Sequence, residues 1–233
     1  MLELLFPRRC PVCDEVLAFG EGPVHRSCQG KLKYIESPVC LKCGKPILEG
    51  EEACCSDCGR RRHVFTAGRA VWVYDSRMRA SVAAFKYRGR REYAGFYVDQ
   101  MAALQGAWLH RIRPEVIMPV PLNWKKRQRR GYNQAELLAR GLSARLHCPV
   151  DTRYLRRTGW TEPQKSLSAL QRYENLKKAF RVCGEKGLYK RVLLVDDIYT
   201  TGSTMDACAR VLREAGVEEV YMICLCTGSD KAG

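Results

Sequence analysis

The chain has 233 residues, 46% hydrophobic and 28% charged, with 40 Lys/Arg against 25 Asp/Glu for a net charge of +15. That length and composition suit one substantial core with a small appended module and exclude a disordered chain. No stretch approaches the roughly 18 apolar residues of a membrane span, and the opening MLELLFPRRC lacks the order of an export signal, so a cytoplasmic location is expected.

In chain order, residues 1–64 are short of helical pattern, punctuated by Gly and Pro, and rich in Cys, with room for a turn near 27–35. Residues 65–233 read differently. FTAGRAVWVYD (65–75) is strand-like and is followed by helical stretches near 77–87 and 92–108. VIMPVP (116–121) is a short buried strand, NWKKRQRRGYNQ (123–134) a basic loop, and 132–146 a helix by its Leu and Ala spacing. Pro149 to Arg157 reads as a strand, then come a long polar connection and a short helix around 168–180. A buried strand at 191–197, a helix over 202–216 stopped by Gly216, and a strand over 217–226 complete the chain. This alternation predicts an α/β fold, a mostly parallel sheet with helices on both faces.

Eight of the thirteen cysteines lie in the first 58 residues, mostly in pairs two residues apart, which in a reducing compartment means metal rather than disulfides. The pairs are CPVC (10–13), HRSC (25–28), CLKC (40–43) and CSDC (55–58). Each gap lets one tight turn present both side chains to an ion, so four pairs make two tetrahedral sites that suit structural zinc. The simplest assignment is Cys10, Cys13, His25 and Cys28 for one ion, and Cys40, Cys43, Cys55 and Cys58 for the other. His25 stands where a cysteine is usual, and its competing reading is a surface histidine beside a three-ligand site. Cys54 competes with Cys55, although only Cys55 leaves a two-residue gap to Cys58. Cys148, Cys183, Cys208, Cys224 and Cys226 sit singly among apolar neighbours and are expected in the core.

Charge separates the two parts. Residues 1–66 carry ten Lys/Arg against nine Asp/Glu, and residues 67–233 carry thirty against sixteen. A basic surface on the second part favours polyanions, either phosphorylated metabolites or nucleic acid. The near-neutral first part is suited to stabilising the fold or docking a protein partner.

In VLLVDDIYTTGST (192–204) a buried strand delivers two acids and then a hydroxyl-rich loop into a helix N-terminus. Unpaired N–H groups and the helix dipole make such a loop an anion site, with Gly202 letting the backbone close and Thr200, Thr201, Ser203 and Thr204 adding donors. No Walker A pattern occurs, so a triphosphate loop of that type is not expected. Asp196 and Asp197 are unsuited to a phosphate; they can accept hydrogen bonds from sugar hydroxyls or help to hold Mg2+. Phosphate plus diol points to a ribose phosphate.

This stretch resembles the phosphoribosyl pyrophosphate (PRPP) motif of type I phosphoribosyltransferases. Together with the paired-cysteine ribbons, FKYRG (85–89), PVPL (119–122) and RGYNQA (130–135), it makes nearly the whole chain similar to the ComF family of competence-associated phosphoribosyltransferase-like proteins. The resemblance implies that Asp196 and Asp197 hold the ribose hydroxyls and that Thr200 to Thr204 surround the 5′-phosphate. It places the pyrophosphate against the loop holding Lys125, Lys126, Arg127, Arg129 and Arg130. It also makes Gln164, Lys165, Arg172 and Asn175 candidates for a closing lid, and Lys86, Arg88 and Gly89 candidates for a hood over the acceptor. The implied activity is Mg2+-assisted transfer of ribose 5-phosphate from PRPP to an acceptor. The alternative is a single-stranded DNA-binding competence protein whose PRPP site senses without turnover, with Trp124 and Tyr132 interleaved in the basic loop as stacking groups. A partner in the competence machinery would dock through the zinc module.

Overall fold

The computed structural model describes residues 7–48, 53–158 and 179–228. In chain order these contain a 3-10 turn (Arg26–Cys28), α1 (Ser56–Arg60), β1 (Ala67–Val73), α2 (Ser76–Tyr87), α3 (Tyr93–Ile112) and β2 (Val116–Pro119). There follow α4 (Trp124–Arg130), α5 (Gln134–Leu146), β3 (Leu155–Arg157), β4 (Phe180–Val182), β5 (Arg191–Tyr199), α6 (Ser203–Glu214) and β6 (Glu219–Thr227). The main sheet is parallel throughout, in the order β1-β6-β5-β2.

β5 is central because its Val192-Leu-Leu-Val195 run is buried on both faces, as an inner parallel strand requires. Leu193 and Val195 face a core shared with α2, α3 and α5, whereas Val192 and Leu194 face a core shared with α6. On α6, Met205, Cys208, Ala209 and Leu212 recur at helical spacing and are all buried, which lays one stripe of the helix on the sheet. The expected parallel sheet with helices on both faces is therefore present.

The module before β1 straddles the sheet edge. Ile35 N donates to Val71 O at 2.9 Å and Val73 N donates to Lys33 O at 2.9 Å, so residues 33–35 add an antiparallel cover to the exposed side of β1. Cys10 and Cys28 then join the core on the α2/α3 face, and Cys40, Cys43 and Cys55 join the core on the α6 face.

Several local expectations are corrected. The basic stretch after β2 is not an open loop: Asn123 caps α4 by accepting from Lys125 N at 3.0 Å, and Gly131 ends it at φ +76°. The strand expected over 149–157 is broken because Asp151 Oδ1 accepts from Arg153 N (2.6 Å) and Tyr154 N (2.9 Å), a local turn that competes with the ladder. Val150 keeps a single parallel bridge to Ile117, and β3 pairs antiparallel with β4 in a separate hairpin. The helix expected around 168–180 lies outside the described residues up to 178, and Phe180 begins β4. Cys148, Cys208, Cys224 and Cys226 are buried as expected, but Cys183 is exposed.

Candidate functional site

The C-terminal ends of the parallel strands form a lip, and β5 carries Asp196 and Asp197 to it while still paired to Cys224 and its neighbours on β6. The acids thus sit on the strand, not in the loop. Strand alternation turns them toward opposite faces. Asp197 meets Lys86 Nζ from the last turn of α2 at 2.6 Å, both side chains being less than one-fifth exposed. Asp196 turns toward the α6 side, where its charge acts on Cys208. Burial first, and the charge of Asp197 second, push the Asp196 carboxyl up to about 7; a hydrogen bond from Asp197 N and the charges of Lys86 and Arg130 oppose that rise.

The chain after Tyr199 turns into α6 through Thr200 and Thr201, both exposed, and Gly202, which is buried at φ +76°. A Cβ at Gly202 would lie 2.7 Å from the Tyr199 hydroxyl and 2.8 Å from His63 Cε1, so only glycine fits there. Thr201 and Ser203 hydroxyls are 3.0 Å apart, and a small solvent-open cleft is lined by Asp196 and Ile198 to Met205. α6 has no side-chain N-cap: its first-turn acid, Asp206, is turned away to His63 and Val64. The first N–H groups of such a helix have no intrahelical acceptor, which suits a phosphate.

Of the five basic residues expected for pyrophosphate, Arg130 lies close enough for its charge to act on Asp196. Its guanidinium donates to Gln134 Oε1 (2.9 Å) and to the Tyr87 hydroxyl (2.9 Å) and lies 4.7 Å over the Tyr87 ring. Lys125, Lys126, Arg127 and Arg129 are exposed on α4, with Arg127 3.4 Å from Glu136. Lys86 and Arg88, the hood candidates, have different partners: Lys86 meets Asp197, whereas Arg88 pairs with Asp14 of the first knuckle at 2.8 Å. Gly89, at φ +71°, ends the same segment. Tyr132 is buried and donates to the Phe85 carbonyl, so it is unavailable for stacking, while Trp124 is half exposed. Gln164, Lys165, Arg172 and Asn175 lie outside the described residues.

Sequence reasoning missed two residues. Arg157 on β3 lies close enough to Asp196 to feel its charge, although burial pulls the Arg157 pKa down, and its guanidinium sits 5.2 Å over Phe180. His63 supports Gly202 from below. Neither belongs to a motif, and both are brought in by the pairing of distant segments.

The eight residues form two clusters, a first zinc knuckle of Cys10/Cys13/His25/Cys28 and a second of Cys40/Cys43/Cys55/Cys58, with the ligand atoms of each within 4.8 Å of one another. Cys43 Sγ and Cys55 Sγ are 3.6 Å apart, close to the roughly 3.8 Å that tetrahedral Zn–S bonds of about 2.3 Å require. His25 presents Nδ1 to Cys13 Sγ at 3.3 Å, and its other nitrogen lies 3.1 Å from the Val16 carbonyl, which fixes the ring by donation from Nε2–H. Cys54 is exposed and stands outside the second cluster. These soft, closed donor sets fit structural zinc.

The fold and its strand-end loop define the class: a phosphoribosyltransferase-like domain carrying a double zinc ribbon. Residues 1–59 match the Double zinc ribbon domain family and residues 129–233 the Phosphoribosyl transferase domain family. The chain is 32% identical over 227 residues to Competence protein F of Haemophilus influenzae (strain Rd), covering 93% of this chain and 96% of that protein. It is 31% identical to DNA utilization protein YhgH of Escherichia coli (strain K12), covering 96% and 98%. Competence protein ComFC of Bacillus subtilis (strain 168) is 29% identical over 82% of this chain and 78% of its own. The chain belongs to the ComF family. Among the described residues, no helix is long and apolar enough to cross a membrane.

Proposed function

We propose that this protein binds PRPP at the lip of β5 and transfers its ribose 5-phosphate group to an acceptor nitrogen. The observation that carries the reading is the continuity of two acids with an uncapped, glycine-hinged helix N-terminus on one strand end, which matches a ligand bearing both a diol and a phosphate. Thr200 to Thr204 take the 5′-phosphate, and Asp196 and Asp197 accept from the ribose hydroxyls. Lys86 aims Asp197 and, with Arg130, supplies positive charge beside the sugar. Asp196 and Asp197 offer hard oxygen donors suited to Mg2+, which when bound would neutralise the diphosphate leaving group. With the ribose held at both ends, positive charge developing at C1′ falls near two carboxylates, and the acceptor attacks as pyrophosphate leaves. Binding at fixed geometry and matched charge does the work; no covalent intermediate with the protein is required. The eight knuckle residues are assigned as ligands of two structural zinc ions, and 1–64 and 65–233 as the two functional parts.

Titration calorimetry with PRPP, with and without Mg2+, tests this. The wild type is expected to bind, and Asp196→Asn/Asp197→Asn to lose at least about 100-fold in affinity, two or more charge-assisted hydrogen bonds being removed. No binding by the wild type would sink the proposal.

A second reading is favoured by one observation: α4 presents Lys125, Lys126, Arg127 and Arg129 with a half-exposed Trp124. That surface suits single-stranded DNA, by phosphate contacts and one stacking ring. Charge reversal at Lys125, Lys126 and Arg129 is expected to reduce the salt dependence of DNA affinity by about 0.7 per lost phosphate contact. An unchanged slope removes α4 from the DNA surface.

A further inference from the structure

The segment joining the second knuckle to β1 runs beneath the phosphate loop, and the chemistry above makes no use of it. His63, five residues past Cys58, is almost fully buried, with Nδ1 2.7 Å from Asp206 Oδ2. A carboxylate only accepts, so Nδ1–H donates, and Val64 N donates to the other Asp206 oxygen at 2.7 Å. The His63 ring stacks on Phe65 at 4.9 Å, and its Nε2 lies 3.5 Å from the hydroxyl of Tyr199, the last residue before the loop. The second knuckle grips the same group: Cys40, Cys43 and Cys55 share a buried cluster with Phe65, Tyr199 and Met205. Lys42, lying between two ligands, donates to the Phe65 carbonyl and sits 5.3 Å over its ring.

Asp206 lies in the first turn of α6. A carboxylate there is attracted to the same N–H groups and dipole end that a phosphate would occupy. The His63–Val64 clasp turns it away from them. We propose that the second zinc knuckle sets the anion affinity of the Thr200–Thr204 loop through His63, a positioning residue that keeps Asp206 from competing with the ligand. This rests on the reading of that loop as the 5′-phosphate site. Linkage then runs both ways: zinc in the second knuckle strengthens phosphate binding, and a phosphate ligand strengthens zinc binding in the second knuckle but not in the first.

The test uses the full-length, zinc-loaded protein and ribose 5-phosphate. In the wild type, competition against a colorimetric zinc chelator is expected to show ribose 5-phosphate raising the affinity of one of two zinc ions, and Cys58→Ser to abolish that shift where Cys13→Ser does not. His63→Phe keeps the ring contacts and removes the Nδ1 donor. It is expected to retain two zinc ions yet bind ribose 5-phosphate about tenfold more weakly, the scale of one lost charge-assisted bond. Asp206→Asn in that background is expected to restore affinity, which a purely packing role for His63 would not allow. Wild-type affinity in His63→Phe, failure of Asp206→Asn to restore it, or no ligand effect on zinc overturns this inference alone. Absence of both PRPP and ribose 5-phosphate binding in the wild type overturns the phosphate-site reading with it.

Discussion

The two zinc knuckles are built on the same two-residue spacing, yet they hold different halves of the candidate site. The first lies on the α2/α3 face: Asp14, just past Cys13, accepts from Arg88 (2.8 Å), Arg90 (2.7 Å) and the Tyr93 hydroxyl (2.6 Å), and Ser81 donates to the Pro11 carbonyl. These contacts pin the end of α2, from which Lys86 reaches Asp197. Burial works against ionisation of Asp14, but Tyr93, Arg88 and Arg90 outweigh it and hold its carboxyl at about 2. The second knuckle lies on the α6 face, with three of its four ligands buried, and props Tyr199 and His63 under Gly202. Similar modules become different supports because each is defined by what it meets across the sheet edge.

The largest effect should come from removing a ligand of the buried knuckle. Cys40→Ser takes a fully buried sulfur from the α6-side core and is expected to cost about 4 kcal/mol or more, against about 2 kcal/mol for the exposed Cys13. Denaturant titration with zinc counting checks the ranking, and equal losses would refute the asymmetry. Next, Gly202→Ala forces a Cβ into the left-handed region and against Tyr199 and His63, so about 1–3 kcal/mol of stability and at least about tenfold in PRPP affinity should go together. Lys86→Gln probes the other half: the nearly buried Asp197 loses its cation, for about 1–3 kcal/mol by thermal unfolding, and PRPP binding weakens while the zinc content stays at two. The smallest change is expected for Asp14→Asn. It loosens Arg88, Arg90 and Tyr93 for about 1 kcal/mol, and PRPP affinity should fall less than in Lys86→Gln because the lysine is only indirectly released.

Much of the site was legible because it lies within single segments. The apolar run before Asp196, the glycine and hydroxyls after it, and the paired knuckle spacings each follow from one element's local geometry. The partners of Tyr132, Lys86 and Arg88 were hidden for the opposite reason. Tyr132 has the composition of a stacking group in a basic stretch, yet α2 places the Phe85 carbonyl where its hydroxyl can donate. Lys86 and Arg88 are two residues apart and end in different places, one at a carboxylate of β5 and the other at a carboxylate of the first knuckle. The break at Asp151 was also hidden, since a strand pattern does not reveal that a carboxylate will take the local N–H groups instead.

By itself the sequence determined the α/β class, the pairing of cysteines into two metal clusters, and the order of acids, hydroxyl-rich loop and helix, because periodicity and short spacings act through neighbouring residues. Only the tertiary structure decided that the ribbon straddles the β1 edge, that Lys86 answers Asp197, and that His63 holds Asp206 from 143 residues away. Such contacts depend on which faces the sheet brings together, and burial of both faces, more than any local preference, chooses those partners.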